Sequence, residues 1–357
     1  METKNIRNIA LLGHGNCGKT SLAESMLYVT GAVDRMGKVA DGNTVCDYDA
    51  EEISRQITIA TSVAPISFGG CKINVLDCPG YFDFVGDVLC ALRAVEAGVI
   101  VVAAKDTAEG VAVGAARCWK YVKNAGLPAM FCISKCNEEH GDYFKALETI
   151  KGKYGSIVCP VTIPTSDGKG VIDLVHNVAY MTNGAKFTKG DVPAADAGKA
   201  EDLRAELMEA AAGATEELME KFFDTMELDE ADIIEGLKVG VKERTVVPVF
   251  ASDAMTNVGT AAMLQGICDY CPVPEEKNDC TLGFVFKTVS EKFGKFSFVK
   301  VLSGKVASGM SLKNVRASSN VVKVGCDDNS AVGIGIGKTD CAAEHHNCED
   351  NSYKFFH

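Results

Sequence analysis

The densest chemistry in this chain is the run Gly13-His14-Gly15-Asn16-Cys17-Gly18-Lys19-Thr20, which completes a G-x-x-x-x-G-K-T pattern. Glycines let the backbone curl until successive N–H groups face phosphate oxygens, and a helix opening at the end of the run adds its dipole. Lys19 is expected to neutralise the outer phosphates of a nucleoside triphosphate, and Thr20, with Ser21 behind it, to place a hydroxyl on Mg²⁺. Two further stations suit the same ligand. In Asp77-Cys78-Pro79-Gly80, Asp77 would hold Mg²⁺ through water and the Gly80 N–H would meet the outermost phosphate. In Arg55-Gln56-Ile57-Thr58-Ile59, Thr58 would close on the same cation from a mobile loop.

Such groups need a sheet to position them. Asn8-Ile9-Ala10-Leu11-Leu12 reads as a short buried strand, and Ser21-Leu22-Ala23-Glu24-Ser25-Met26-Leu27 has helical apolar spacing. The phosphate loop therefore falls at a strand-to-helix junction, the setting its motif requires. Further strands are expected at 72–76, 98–103, 129–134 and 246–250, with helices at 84–96 and 113–124. That alternation specifies an open α/β sheet with ligands at the carboxyl ends of its strands.

The pattern assigns a nucleotide-binding domain to 5–273, with an inserted subdomain at about 154–242. Within the insertion, 201–237 is acidic and helical, and Leu203, Leu207, Leu218 and Phe222 give one or two solvated amphipathic helices their apolar faces. A linker is expected at 274–280, followed by the start of an antiparallel β-barrel over 281–357 with strands at 282–288 and 297–302. The run Gly333-Ile334-Gly335-Ile336-Gly337-Lys338-Thr339 imitates a second phosphate loop. Val332 stands where that motif needs glycine and no helical pattern follows, so it is rejected.

At 357 residues the chain is long enough for about two domains of ~150 residues. No apolar run reaches the ~18 residues of a membrane span and the N-terminus lacks a signal-peptide pattern, so a cytoplasmic protein without membrane partners is expected. Fifteen cysteines scattered through apparent strands and helices read as reduced, buried thiols. Cys268 and Cys271 form a lone C-x-x-C on a probable core helix, and Cys341, His345, His346 and Cys348 match no zinc spacing. A net charge of −12 argues against a general nucleic-acid-binding surface, DNA included, but leaves room for docking on a nucleoprotein through local patches.

With these residues in place, the chain resembles the translational GTPases. The phosphate loop, Arg55 to Thr58 and the Asp77 run are similar to their G motifs. Asp41-Gly42-Asn43-Thr44-Val45-Cys46-Asp47-Tyr48 and the run after Asp77 resemble elongation factor G, particularly its elongation-factor-G-like branch. The resemblance implies a P-loop GTPase domain with an inserted α/β subdomain and the beginning of a second, β-barrel domain. It also implies GTP with Mg²⁺ as ligands, the ribosome as partner, and GTP hydrolysis coupled to translocation. A ribosomal protection protein or a release factor would share the same motifs.

Several positions depart from the family pattern. Its base-reading N-K-x-D is here Ser134-Lys135-Cys136-Asn137. Lys135 can still cover the base, but an amide replaces the carboxylate that accepts from both guanine N1–H and N2–H₂. Losing a charge-assisted bond costs ~1.5–3 kcal/mol. A weakened preference for GTP and relatively better binding of xanthosine triphosphate (XTP) are therefore expected, with Glu138 one position out of register to substitute. In the last base loop Asp253 stands in place of serine before Ala254, whose N–H would reach the guanine oxygen, and Asn16 stands in place of a common aspartate.

Tyr81 follows Gly80 where the family has a water-positioning histidine. A phenol is a poor proton carrier at neutral pH, so slow turnover is expected. These departures sustain an alternative, a ribosome-associated nucleotide-binding module with weak or no hydrolysis and relaxed base specificity. The barrel pattern fades after about 324 and 341–357 is polar and His-rich, which reads as a truncated N-terminal fragment.

Overall fold

Eight consecutive buried residues form β1 (Ile6–Gly13), the strand that leads into the phosphate loop. The computed structural model describes residues 2–107, 111–275, 280–291, 294–307, 310–313, 321–323 and 334–335. Contacts divide the chain into two units, Ile9–Pro272 and a second made of Val273–His357 with Met1–Asn8.

In the larger unit α1 (Lys19–Val29) follows the phosphate loop, and a short α2 (Ala50–Arg55) opens with an Asp49/Glu52 capping box. A hairpin of β2 (Ser62–Phe68) and β3 (Cys71–Asp77) leads to α3 (Val85–Leu92), β4 (Ala97–Ala103), α4 (Val113–Asn124), β5 (Ala129–Ser134) and α5 (Tyr143–Tyr154). After β6 (Val158–Pro160) come β7 (Thr162–Pro164), β8 (Gly170–Asp173), β9 (Val178–Asn183) and β10 (Lys186–Gly190). Three helices follow, α6 (Ala197–Ala212), α7 (Glu216–Thr225) and α8 (Glu230–Glu243), before β11 (Val247–Ala251) and α9 (Thr260–Tyr270).

The main sheet has the order β2-β3-β1-β4-β5-β11-β6. Its ladders β1–β4, β4–β5, β5–β11 and β11–β6 are parallel, with β2 antiparallel at the edge. Strands β1, β4, β5 and β11 are buried along their lengths, as central strands covered on both faces must be. Ile9, Leu11, Leu12, Ile73, Ile100, Phe131 and Phe250 make the core. The order reverses at β1, with β3 on one side and β4 on the other, which opens a crevice at its carboxyl end. Gly13, Asp77, Ser134 and Ala251 all lie at the carboxyl ends of their strands.

The inserted sheet is antiparallel, order β10-β9-β8-β7. Two details differ from the sequence reading. The strand at 158–160, assigned there to the insertion, pairs with β11 and belongs to the main sheet. The acidic stretch forms three helices rather than one or two, because Gly213 ends α6 and a left-handed Met226 ends α7. Capping by Thr215 and by the Asp229/Asp232 box restarts the chain each time.

In the smaller unit β12 (Leu282–Glu291) and β13 (Gly294–Ser303) form an antiparallel pair, as do β14 (Ser311–Lys313) and β15 (Val321–Lys323). Val299, Val301 and Val306 cluster with Met310 and Leu312. Ile334–Gly335, from the rejected second loop, forms β16 parallel to β13. The rest of that run, and 341–357 with its Cys and His residues, lie outside the described residues.

Cys17, Cys46, Cys78, Cys132 and Cys159 are buried thiols. Cys268 lies on α9 and Cys271 at its end, both buried, and Cys268 donates to the Phe68 carbonyl. No helix among the described residues is long and apolar enough to cross a membrane.

Candidate nucleotide and magnesium site

A cavity of about 220 Å³ opens where the phosphate loop, the Thr58 loop and the Asp77 run meet. Gly15, Asn16, Gly18, Lys19, Thr20, Ser21, Asp47, Thr58, Gly80, Tyr81 and Lys135 line it. Gly18 starts α1 in the left-handed region, at φ 97°, and aims the first helical N–H groups at the cavity. Lys19 is buried, its amine donating to the carbonyl oxygens of His14 at 2.9 Å and Gly13 at 3.5 Å.

The three candidate magnesium ligands converge. Thr20 Oγ1 donates to Asp77 Oδ2 at 2.7 Å and lies 3.0 Å from Thr58 Oγ1. Asp77 is fully buried and its other oxygen, Oδ1, has no hydrogen-bond partner. Burial pushes its carboxyl up to about 7, against the pull of the Lys19 charge and the Thr20 hydroxyl. Asp47, 4% exposed, presents two more unpartnered carboxylate oxygens, and burial raises it as well. Orphaned buried carboxylate oxygens beside two hydroxyls are a hard, oxygen-only donor set of the kind Mg²⁺ takes, so the residues present fit that ion.

Buried carboxylates also hold the loops that deliver these groups. Glu52 Oε1 accepts from the N–H groups of Ile59 at 3.0 Å and Ala60 at 3.1 Å, bracing the turn around Thr58, while its Oε2 accepts from Asp49 N at 3.2 Å. Glu24 on α1, wholly buried, accepts from Gly37 N at 3.0 Å and Val45 N at 2.6 Å, which fixes the approach to Asp47. Sequence reading assigned no role to Asp47, Glu24 or Glu52. Only Glu52 carried a local signal, the D-x-x-E spacing of a capping box.

Gly80 touches the phosphate loop so closely that a Cβ there would lie 2.5 Å from Lys19 Nζ and 2.8 Å from Gly15 N. Tyr81 lays its ring over Gly15, where a Cβ would stand 2.9 Å from Cζ. Its hydroxyl is 3.5 Å from Asn16 Nδ2. His14 turns the other way, towards Phe82 at a ring-centroid distance of 6.3 Å, and its Nδ1 is buried without a partner. Cys17 contributes backbone, its carbonyl accepting from Ser134 Oγ at 2.6 Å, while burial pushes the thiol up.

That Ser134 bond ties the end of β5 to the phosphate loop. Lys135 passes beside Gly18 and its amine lies 3.6 Å from Glu138 Oε1, whose Oε2 bonds Lys105 at 3.0 Å. Asn137 points its amide elsewhere: Nδ2 donates to Gly168 O at 2.8 Å. Asp253, buried, accepts from Asn137 N at 3.2 Å and from Thr256 N and Oγ1, each at 3.1 Å. Ala254 follows, accepting from Asn257 N at 3.3 Å. Among the described residues eight non-glycines have positive φ, and five of them (Asn16, Gln56, Lys135, His140 and Asn257) lie in the loops around this cleft. Strain of this kind persists only where surrounding contacts over-determine it.

The sheet order, the phosphate loop and the converging hydroxyls define a P-loop protein of the GTPase class. Residues 4–273 match the family described as elongation factor Tu GTP binding domain, and the chain belongs to that family. It is 30% identical over 340 residues to elongation factor G of Granulibacter bethesdensis, covering 87% of this chain and 49% of that one. A crystal structure of a Thermus thermophilus protein matches with a TM-score of 0.81 at 30% identity, over 90% of this chain and 51% of that one. The chain thus spans about half the length of the relatives it matches.

Proposed function

We propose that this chain binds GTP with Mg²⁺ in the cleft and, as part of an elongation-factor-G-like protein, hydrolyses GTP on the ribosome in the cytoplasm to promote translocation. The meeting of Thr20, Thr58 and Asp77 within hydrogen-bond distance, from three separate elements, carries the reading. With a triphosphate bound, Lys19 would exchange the His14 and Gly13 carbonyls for phosphate oxygens. Thr20 and Thr58 would ligate Mg²⁺ directly, with Asp77 and Asp47 accepting from its waters. The ion supplies charge neutralisation at the phosphate oxygens when bound. Gly80 N–H would meet the outermost phosphate, and Lys135 and the Ala254 N–H, in the turn that the Asp253 carboxylate braces, would frame the base.

In this reading Tyr81 would orient the attacking water, but its seat on Gly15 favours a second reading. A ring held on the phosphate loop orients water poorly, which suits a nucleotide-binding ribosomal module with slow hydrolysis. Measuring phosphate release from GTP, with and without ribosomes, separates the two. Ribosome-stimulated turnover supports the first; tight binding without turnover supports the second. Failure to bind any nucleotide overturns both.

A further inference from the structure

Two loops carry the residues expected to face the base, one after β5 and one after β11. Each holds an asparagine whose amide reaches out of the main sheet into the inserted one. Asn137 Nδ2 donates to Gly168 O at 2.8 Å, in the turn between β7 and β8. Asn257 Nδ2 donates to Gly184 O at 3.2 Å, in the turn between β9 and β10. The loops are also bonded to each other, through Asn137 N to Asp253 Oδ2 at 3.2 Å and Cys136 N to Ser252 O at 3.4 Å. From Asn257 the network continues into the phosphate-loop helix, because its Oδ1 accepts from Ser25 Oγ at 2.8 Å.

We propose that Asn137 is a strut rather than a base-reading group, and that Asn137 and Asn257 together make the inserted sheet a support of the base site. The proposal rests on nucleotide occupying the cleft as above. Its chemistry follows from what position 137 faces. The acceptor is a backbone carbonyl, so the side chain must donate; a carboxylate there would set acceptor against acceptor. The amide's own oxygen lies against the same turn, 3.2 Å from where a Cβ on Gly168 would stand. Asn137 is thus the residue type that the β7–β8 turn demands, and guanine has no part in the choice.

Coupling between two sites is reciprocal. If the turns at Gly168 and Gly184 brace the base loops, nucleotide must in return steady those turns. Loads on the insertion and nucleotide affinity then become linked through two side-chain amides.

The test uses fluorescent derivatives of GTP, ATP and XTP with the whole chain. Asn137→Ala should weaken all three by a common factor, about three- to tenfold, the scale of one partly exposed hydrogen bond. Asn137→Asp should also weaken all three and bring no gain for GTP. In the wild type, nucleotide should slow amide hydrogen exchange at 165–170 and 182–186, and Asn137→Ala should abolish the effect at 165–170. Weakening confined to GTP, or selective tightening of GTP by Asn137→Asp, overturns the proposal in favour of base reading. If the wild type binds no nucleotide, the functional reading fails separately. Exchange at 165–170 in the ligand-free variant then decides: acceleration supports the strut and an unchanged rate overturns it.

Discussion

At the phosphate end of the cleft, side chains meet face to face: Thr20 on Asp77, Thr58 on Thr20, with unpartnered oxygens of Asp47 and Asp77 beside them. At the base end they turn away from the cleft, Asn137 to Gly168, Asp253 to Thr256 and Glu138 to Lys105. The first arrangement leaves donors and acceptors for a ligand to complete. The second is already satisfied by protein, and serves as scaffold. A nucleotide held this way would draw its affinity from phosphates and metal, with comparatively little from its base.

The largest effect should therefore fall at the phosphate end. Lys19→Ala, which removes a buried amine from beside the outer phosphates, should weaken nucleotide binding on the order of 100-fold or more, measured by fluorescence titration. A loss below about fivefold would collapse the contrast between the two ends. Next comes Asp77→Asn, which keeps an acceptor for Thr20 but removes the charge. The Mg²⁺ concentration needed for half-maximal GTP binding should rise about 10- to 100-fold, and an unchanged requirement would take Asp77 out of the metal site.

Tyr81→Phe is expected to lower ribosome-stimulated hydrolysis only about three- to tenfold, since one hydroxyl's orienting bond is lost. An unchanged rate assigns that hydroxyl no part. The smallest effect concerns the clasp between the insertion and α9. His176 Nδ1 lies 2.8 Å from Asp173 Oδ2, and Nε2 lies 3.6 Å from Asp269 and 3.7 Å from Glu230. The Asp173 hydrogen bond, chiefly, raises the His176 pKa above its ordinary value. The folded state thus holds the proton more tightly than the unfolded one. The clasp's stabilisation is full below about pH 6.5 and fades as pH climbs through the raised folded value. Urea unfolding at pH 5.5 and 8.5 should show His176→Gln costing more at the lower pH; equal costs would remove the clasp.

What could be read from sequence divides along the same line. Gly13 to Thr20 is contiguous, so its strand–loop–helix setting was visible in neighbouring residues, and α4 falls at 113–124 as its spacing requires. Asp77 sits at a strand end that apolar spacing alone places. The base end was not legible in this way. Asn137 has its meaning from Gly168, 31 positions on, and Asn257 from Gly184, 73 positions back. No local pattern encodes those partners. Three-residue β6 was lost for a related reason, being recognisable only by its ladder with β11. Gly213, ending α6, marked a helix break that acidic composition hid.

The seat of Tyr81 on Gly15 decides how mutations at these two positions combine. Residue 15 and the tyrosine ring claim one volume, for a Cβ at 15 would stand 2.9 Å from Cζ. A substitution at either position is therefore read in the context of the other. A side chain at 15 has to push the ring outward, towards the solvent that Tyr81, 38% exposed, already borders. Tyr81 and Gly15 then act as a coupled pair, and the effect of a change at either depends on the residue at the other.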